Sequence, residues 1–274
     1  MSRTGGHLRV AARSSLWRPR VDSSAMDFQA VEGRVAEARR RIADAVTRGG
    51  HRQAVTLIAV TKTHGPEAVE AAWAAGVTDV GENKVQEATA KQEALALASC
   101  TTGGLRWHLI GHLQTNKAKA LPRFSLFHAL DRDSLVDAAD AVGRNATAVI
   151  GAGAAVTVVP QPLPVLVQVN ISGEDTKGGY PPAEVPALAA RLRDRAGLSV
   201  RGVMTMAPFE ADEGTLRHVF AGARAAAAVL RDAGHPATEL SMGMSGDYEI
   251  AVEEGATLVR LGTTLFGERP VRAA

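Results

Sequence analysis

Between residues 56 and 266 a short run rich in Val, Ile and Leu gives way to an alanine-rich or amphipathic stretch eight times over. No other feature of the chain restricts its fold as much. Short β-branched runs bounded by Gly, Pro, Asn or Asp read as buried strands, and apolar residues spaced by three and four read as helices. The predicted strands cover 56–62, 78–83, 107–112, 126–131, 165–170, 200–206, 239–244 and 258–262. Alternation of this kind makes a parallel sheet covered by helices, and eight repeats favour an α/β chain closed into a single (β/α)8 TIM barrel. The open alternative, a doubly wound dinucleotide-binding sheet, lacks its fingerprint, because no Gly-x-Gly-x-x-Gly follows the first strand. An extra N-terminal helix precedes the barrel: Val31, Val35, Ala38, Ile42 and Val46 form one stripe, and Gly49-Gly50 ends it.

Two segments break the rhythm. Residues 1–25 hold Arg3, Arg9, Arg13, Arg18 and Arg20, with no acid in the first 20. They read as a disordered leader, or as sequence upstream of a true start at Met26; the composition also suits a transit segment. Without them the chain is nearly neutral, so bulk charge supports no nucleic-acid partner. Residues 144–164, with Gly151, Gly153, Pro160, Pro162 and Pro164, read as a flexible insertion in a barrel domain spanning 26–274. No apolar run is long enough for a bilayer. A lone cysteine, Cys100, fits a reducing, cytoplasmic setting and argues against a disulfide framework or a cysteine-based metal site.

In such a barrel, chemistry gathers where strands end. Those ends carry Lys62, Asn83, His108, Met206, Ser241, Ser245, Arg260, Gly262 and Thr263. Lys62 closes an apolar run: either its ammonium sits in water, or poor solvation frees its lone pair for a carbonyl. Ser245-Gly246 and Gly262-Thr263 either cap helices or present amides to an anion. Arg260 lies within an apolar strand and needs an acceptor, either a structural carboxylate or a ligand atom. An amine, an anion cradle and a cation between them outline a pyridoxal 5′-phosphate (PLP) site. Lys117 and Lys119, in a lysine-rich loop, are candidates for holding a second cofactor molecule.

The chain also resembles the pyridoxal-phosphate homeostasis proteins. The resemblance is carried by Ala59-Val60-Thr61-Lys62, Gly81-Glu82-Asn83-Lys84-Val85-Gln86-Glu87, Trp107 to Lys117, Val167-Gln168-Val169-Asn170, Gly202 to Met206, Leu240 to Ser245 and Val259 to Thr263. It implies a barrel like the N-terminal domain of alanine racemase, with PLP held on Lys62 through a Schiff base. By the same resemblance Asn83 lies beside the cofactor ring and Arg260 meets the ring nitrogen, while Ser241 or Ser245, with Gly262 and Thr263, holds the phosphate. His108 and Met206 complete the candidate cofactor site. The implied role is to carry or buffer PLP, a form of vitamin B6, as a monomer without catalysis, with PLP-dependent apoenzymes as recipients. The alternative is a racemase-like enzyme. Asp247-Tyr248 after the serine motif departs from the pattern, which leads one to expect a small or acidic residue and a methionine there.

Overall fold

The computed structural model describes residues 27–97, 104–150, 157–174 and 177–267. The leader therefore lies outside the described residues. The first helix, α1 (Phe28–Gly49), starts where the Asp27 carboxylate accepts the Ala30 amide at 3.0 Å and stops at Gly50, which adopts φ 72°. Its buried residues, Val31, Val35, Ala38, Ile42 and Ala45, follow the predicted stripe except at its end, where Ala45 is buried and Val46 only half-buried. Then come β1 (Thr56–Val60), α2 (Pro66–Ala74), β2 (Asp79–Glu82), α3 (Val85–Leu97) and β3 (Arg106–Leu109). A 3-10 turn over Thr115–Arg123 leads to β4 (Leu126–Leu130) and α4 (Asp133–Gly143).

A small antiparallel ladder follows, β5 (Thr147–Ile150) against β6 (Thr157–Pro160), outside the barrel sheet. It lies within the segment that the sequence marks as a flexible insertion. Thr147, Val149, Val158 and Val159 supply β-forming residues on both arms, which the Gly and Pro content of the segment obscures. Residues 151–156 between the arms lie outside the described residues. The barrel resumes with β7 (Leu163–Gln168), α5 (Val185–Leu192), β8 (Leu198–Met204), α6 (Glu213–Asp232), β9 (Glu239–Ser241), α7 (Tyr248–Glu253), β10 (Leu258–Leu261) and the four-residue α8 (Thr263–Phe266).

Eight parallel strands close in the order β1-β10-β9-β8-β7-β4-β3-β2. The first and last meet in register, with Thr56 opposite Leu258 and Ala59 opposite Leu261. The predicted barrel is thus present, with strands three, five and six each starting one or two residues earlier than predicted. α8 is too short to cover the seam between β10 and β1, and α1 takes its place, lying against both α2 and α7. Charged pairs lock it there: Arg48 meets Glu253 at 2.6 Å and Glu249 at 3.2 Å, and Arg41 also pairs with Glu249. A continuous apolar core includes Ile58, Leu109, Phe127, Leu166 and Phe220. No helix among the described residues is long and apolar enough to cross a membrane.

Candidate functional site

Strand ends and the loops after them enclose a cavity of about 980 Å3. That is large for a small-molecule site, near the top of the usual ~300–1,000 Å3. Lys62, Asn83, Met206, Ser245, Arg260, Gly262 and Thr263 all line it. Lysines 117 and 119, on the 3-10 turn, do not, and neither do His108 and Ser241. Residues outside the candidate cofactor site complete the wall, among them Ile110, Gln168, Phe209, Glu210 and Met244. Phe209 is 89% exposed at the rim. Gln168 could have been noticed as a polar residue ending an apolar strand, whereas Phe209 sits in a loop that carries no such signal.

Lys62 lies two residues past the end of β1, in a tight turn that His64 N closes on Thr61 O at 3.1 Å. Thr63 takes φ 70° in this turn. A β-branched residue in the left-handed region costs on the order of 1–3 kcal/mol, so the surroundings must hold it there. They do so through the Thr63 amide, which donates to Glu87 Oε1 at 2.5 Å. On the other side of Lys62, Thr61 O accepts Lys91 Nζ at 2.7 Å, and Thr61 Oγ1 donates to Glu82 Oε1 at 2.5 Å. Lys91 Nζ also reaches Glu82 Oε1 at 2.6 Å and Glu87 Oε1 at 3.1 Å. Burial raises the pKa of Glu82, with Lys91 and Thr61 acting against it, and Glu82 Oε2 finds no partner.

Asn83 reaches the cavity because Gly111 lets its backbone pass close; a Cβ on Gly111 would lie 2.4 Å from Asn83 O. Opposite stand two loops tied by Thr264 N donating to Ser245 Oγ at 3.2 Å. α7 has six residues and α8 four, so neither contributes much of a helix dipole. Their loops offer backbone N–H groups instead: Thr263 is the first helical residue of α8, and its amide has no partner within that helix. At Gly246 an added Cβ would meet nothing within 4 Å, so the backbone can be approached closely. Asp247 Oδ1 accepts the Met244 amide at 2.6 Å, and burial raises the carboxyl pKa. Among the described residues no group of three or more His, Cys, Asp and Glu is placed to hold a metal ion.

Arg260 is buried, 5% exposed, and no described carboxylate forms an ion pair with it. Burial lowers its pKa to about 10, so it stays charged at neutral pH. Its Nη1 donates to Ser241 Oγ at 2.6 Å and its Nη2 to Thr205 O at 3.0 Å. From Ser241 a line of hydrogen bonds runs through the barrel interior. Ser241 Oγ meets His128 Nδ1 at 2.8 Å, His128 Nε2 meets His108 Nδ1 at 2.9 Å, and His108 Nε2 meets Asp79 Oδ1 at 2.9 Å. Asp79 also takes Arg106 Nη2 at 2.7 Å and Thr78 Oγ1 at 2.8 Å.

One proton arrangement fits with both imidazoles neutral. Asp79 accepts from His108 Nε2–H, so His108 Nδ1 accepts from His128 Nε2–H, His128 Nδ1 accepts from Ser241, and Ser241 accepts from Arg260. Every donor points away from the cavity. Burial, with His108 and Arg260 nearby, drives the His128 pKa well below 6.5, in keeping with a neutral ring. Burial pushes the Asp79 pKa up, but hydrogen bonds from His108, Arg106 and Thr78 outweigh it and bring it to about 2. His108 and Ser241 thus lie beneath the cavity and bear on it through Arg260. Arg260 retains N–H groups beyond the two spent on Ser241 and Thr205, and it lines the cavity. A guanidinium with spare donors, an amine and a cradle of amides suit an anionic heteroaromatic aldehyde with a ring acceptor.

The family model described as the N-terminal domain of alanine racemase matches residues 35–270. The pyridoxal phosphate homeostasis protein of Aquifex aeolicus is 37% identical over 239 residues, covering 86% of this chain and 97% of its own. PipY of Synechococcus elongatus, solved with PLP bound, superposes with a TM-score of 0.71 at 34% identity, over 86% of this chain and 100% of its own. Alanine racemase of Corynebacterium glutamicum shares the fold, with a TM-score of 0.64 at 16% identity, and the match covers 64% of that chain. By sequence, fold and the placement of its polar strand ends, the chain belongs to the pyridoxal phosphate homeostasis protein family, on the alanine racemase N-terminal barrel.

Proposed function

We propose that this chain binds PLP in the strand-end cavity, with Lys62 as the point of covalent attachment, and carries or buffers it in the cell. The observation that carries the reading is Arg260, a buried cation in no described ion pair, on which the Asp247 charge acts only from beyond contact distance, lining the same cavity as Lys62. When bound, PLP supplies an aldehyde that a neutral amine can capture reversibly. Lys62 would supply the amine for that capture, with water as the leaving product. Ser245, Gly246, Gly262 and Thr263 offer hydroxyl and amide donors to the phosphate, Arg260 donates to the ring nitrogen, and Asn83 and Met206 flank the ring. An arginine there keeps the ring nitrogen unprotonated, which weakens the ring as an electron sink and favours carriage over catalysis.

Neither tyrosine lines the cavity. Tyr180 donates to Asp133 Oδ1 at 2.8 Å, and Tyr248, the first residue of α7, is buried. A monomer in the cytoplasm that hands PLP to apoenzymes is the setting we infer from the family and from the lone cysteine. One observation favours a racemase-like enzyme instead: His112 lines the cavity, its Nδ1 held 2.7 Å from Asp131 Oδ2, as a general acid–base group would be. The deciding experiment adds PLP to the purified protein, reduces with borohydride and maps the modified peptide. The reading requires an adduct on Lys62 that is lost in Lys62→Ala. Modification scattered over other lysines would overturn it, and amino-acid racemisation lost in His112→Ala would favour the enzyme.

A further inference from the structure

The turn that carries Lys62 is held from both sides by side chains that the cofactor reading leaves unused. We propose that Lys91, Glu82 and Glu87 form a positioning clamp that fixes the Thr61–Thr63 turn and thereby sets where the Lys62 amine stands in the cavity. The inference rests on Lys62 being the attachment residue and names what makes it competent. Three contacts fall on the two residues flanking Lys62: Lys91 Nζ on Thr61 O, Thr61 Oγ1 on Glu82, and the Thr63 amide on Glu87. Lys91 joins the two carboxylates, so the three side chains act as one body. Lys91 is 4% exposed and Glu82 0%, so neither is a solvated surface charge.

The backbone supplies a second, independent observation. Thr63 holds φ 70°, a conformation that glycine commonly supplies at the third position of a turn. Without Glu87 to receive its amide, the turn can relax toward an ordinary threonine conformation, and the residue before it swings with it. None of the three clamp residues lines the cavity, so they act through Lys62 and not on the ligand.

The experiment compares full-length wild type with Glu87→Ala, Glu87→Gln and Lys91→Met. Three readouts are taken: hydrogen exchange of the amides of residues 61–64 without ligand, binding of pyridoxine 5′-phosphate, and the rate of borohydride-trappable attachment of PLP to Lys62. Pyridoxine 5′-phosphate is an alcohol and forms no imine. Glu87 is the partly exposed member, so Glu87→Ala is the variant expected to fold even if Lys91→Met does not. In Glu87→Ala the Thr63 amide exchanges faster, attachment slows by roughly ten- to a hundredfold, and the alcohol still binds as in wild type. Glu87→Gln retains an oxygen acceptor and recovers most of the rate. A folded Glu87→Ala protein with wild-type exchange and attachment would overturn the clamp. If wild type itself places no adduct on Lys62 while Glu87→Ala still speeds exchange, the cofactor reading fails and the clamp on the turn stands.

Discussion

Two buried polar systems end at the cavity, one inside the barrel and one between the barrel and its helices. The inner one runs Asp79, His108, His128, Ser241, Arg260, and each of its side chains has a hydrogen-bond partner at both ends. The outer one gathers Glu82, Glu87 and Lys91 around the Lys62 turn and leaves Glu82 Oε2 without a partner. The inner line joins one carboxylate to one guanidinium through two imidazoles and a hydroxyl. The outer cluster packs two carboxylates against one ammonium. The contrast separates two ways of fixing a functional group. A line of matched hydrogen bonds orients Arg260 with little strain, whereas a crowded ionic knot restrains a turn whose conformation is itself costly.

Breaking the knot gives the largest effect. Lys91→Met strands two carboxylates, one fully buried, and lowers unfolding free energy by about 4 kcal/mol in urea titrations at neutral pH. The deficit narrows as pH falls, because burial already raises the Glu82 pKa and a protonated Glu82 no longer needs the ammonium. A deficit independent of pH would mean that Glu82 does not carry the cost. Cutting the inner line comes second. His128→Leu leaves His108 Nδ1 without its partner and Ser241 Oγ with Arg260 alone, at about 3 kcal/mol in all, and loosens Arg260, so PLP affinity falls while Lys62 can still be modified. Unchanged affinity would show that Ser241 and Thr205 hold Arg260 well enough without His128 behind them.

The smallest effect is an acid profile in two stages. His128 has a depressed pKa in the fold, so its contribution is present above 6.5 and is lost as pH falls below that value. Asp79, lowered from 3.8 to about 2, contributes about 2 kcal/mol above pH 4 that disappears between pH 4 and pH 2. Thermal melts against pH should show both stages in wild type and lose the first in His128→Leu. A first stage that survives the substitution would place the proton elsewhere.

The inner line was half legible in the sequence and the outer knot was not. His108, Ser241 and Arg260 stand out as polar residues in apolar strands, which is how the sequence nominates them. What it does not give is depth along the strand: His108 and Ser241 point into the barrel below the cavity floor, and period-two alternation cannot distinguish one inward layer from the next. Lys91 and Glu87 escape notice for another reason. On an alanine-rich helix with charged neighbours, they read as solvated residues spaced by four. Only the packing of α3 over the end of β1 turns them inward. The β5–β6 ladder was masked in the same way by the glycines and prolines around it.

α1 in the slot that α8 is too short to fill also shapes how the chain reaches its fold. α1 leans on α7, and β1 pairs with β10, a partner about 200 residues downstream. Loop closure on that scale rewards the chain only when its last strands arrive, so the ring forms late and cooperatively. During synthesis the apolar stripe of α1 and one edge of β1 wait uncovered until nearly the whole barrel has emerged. Kinetically, the molecule's weak moment is its closing seam, and Arg41, Arg48, Glu249 and Glu253 are the charges that find each other there.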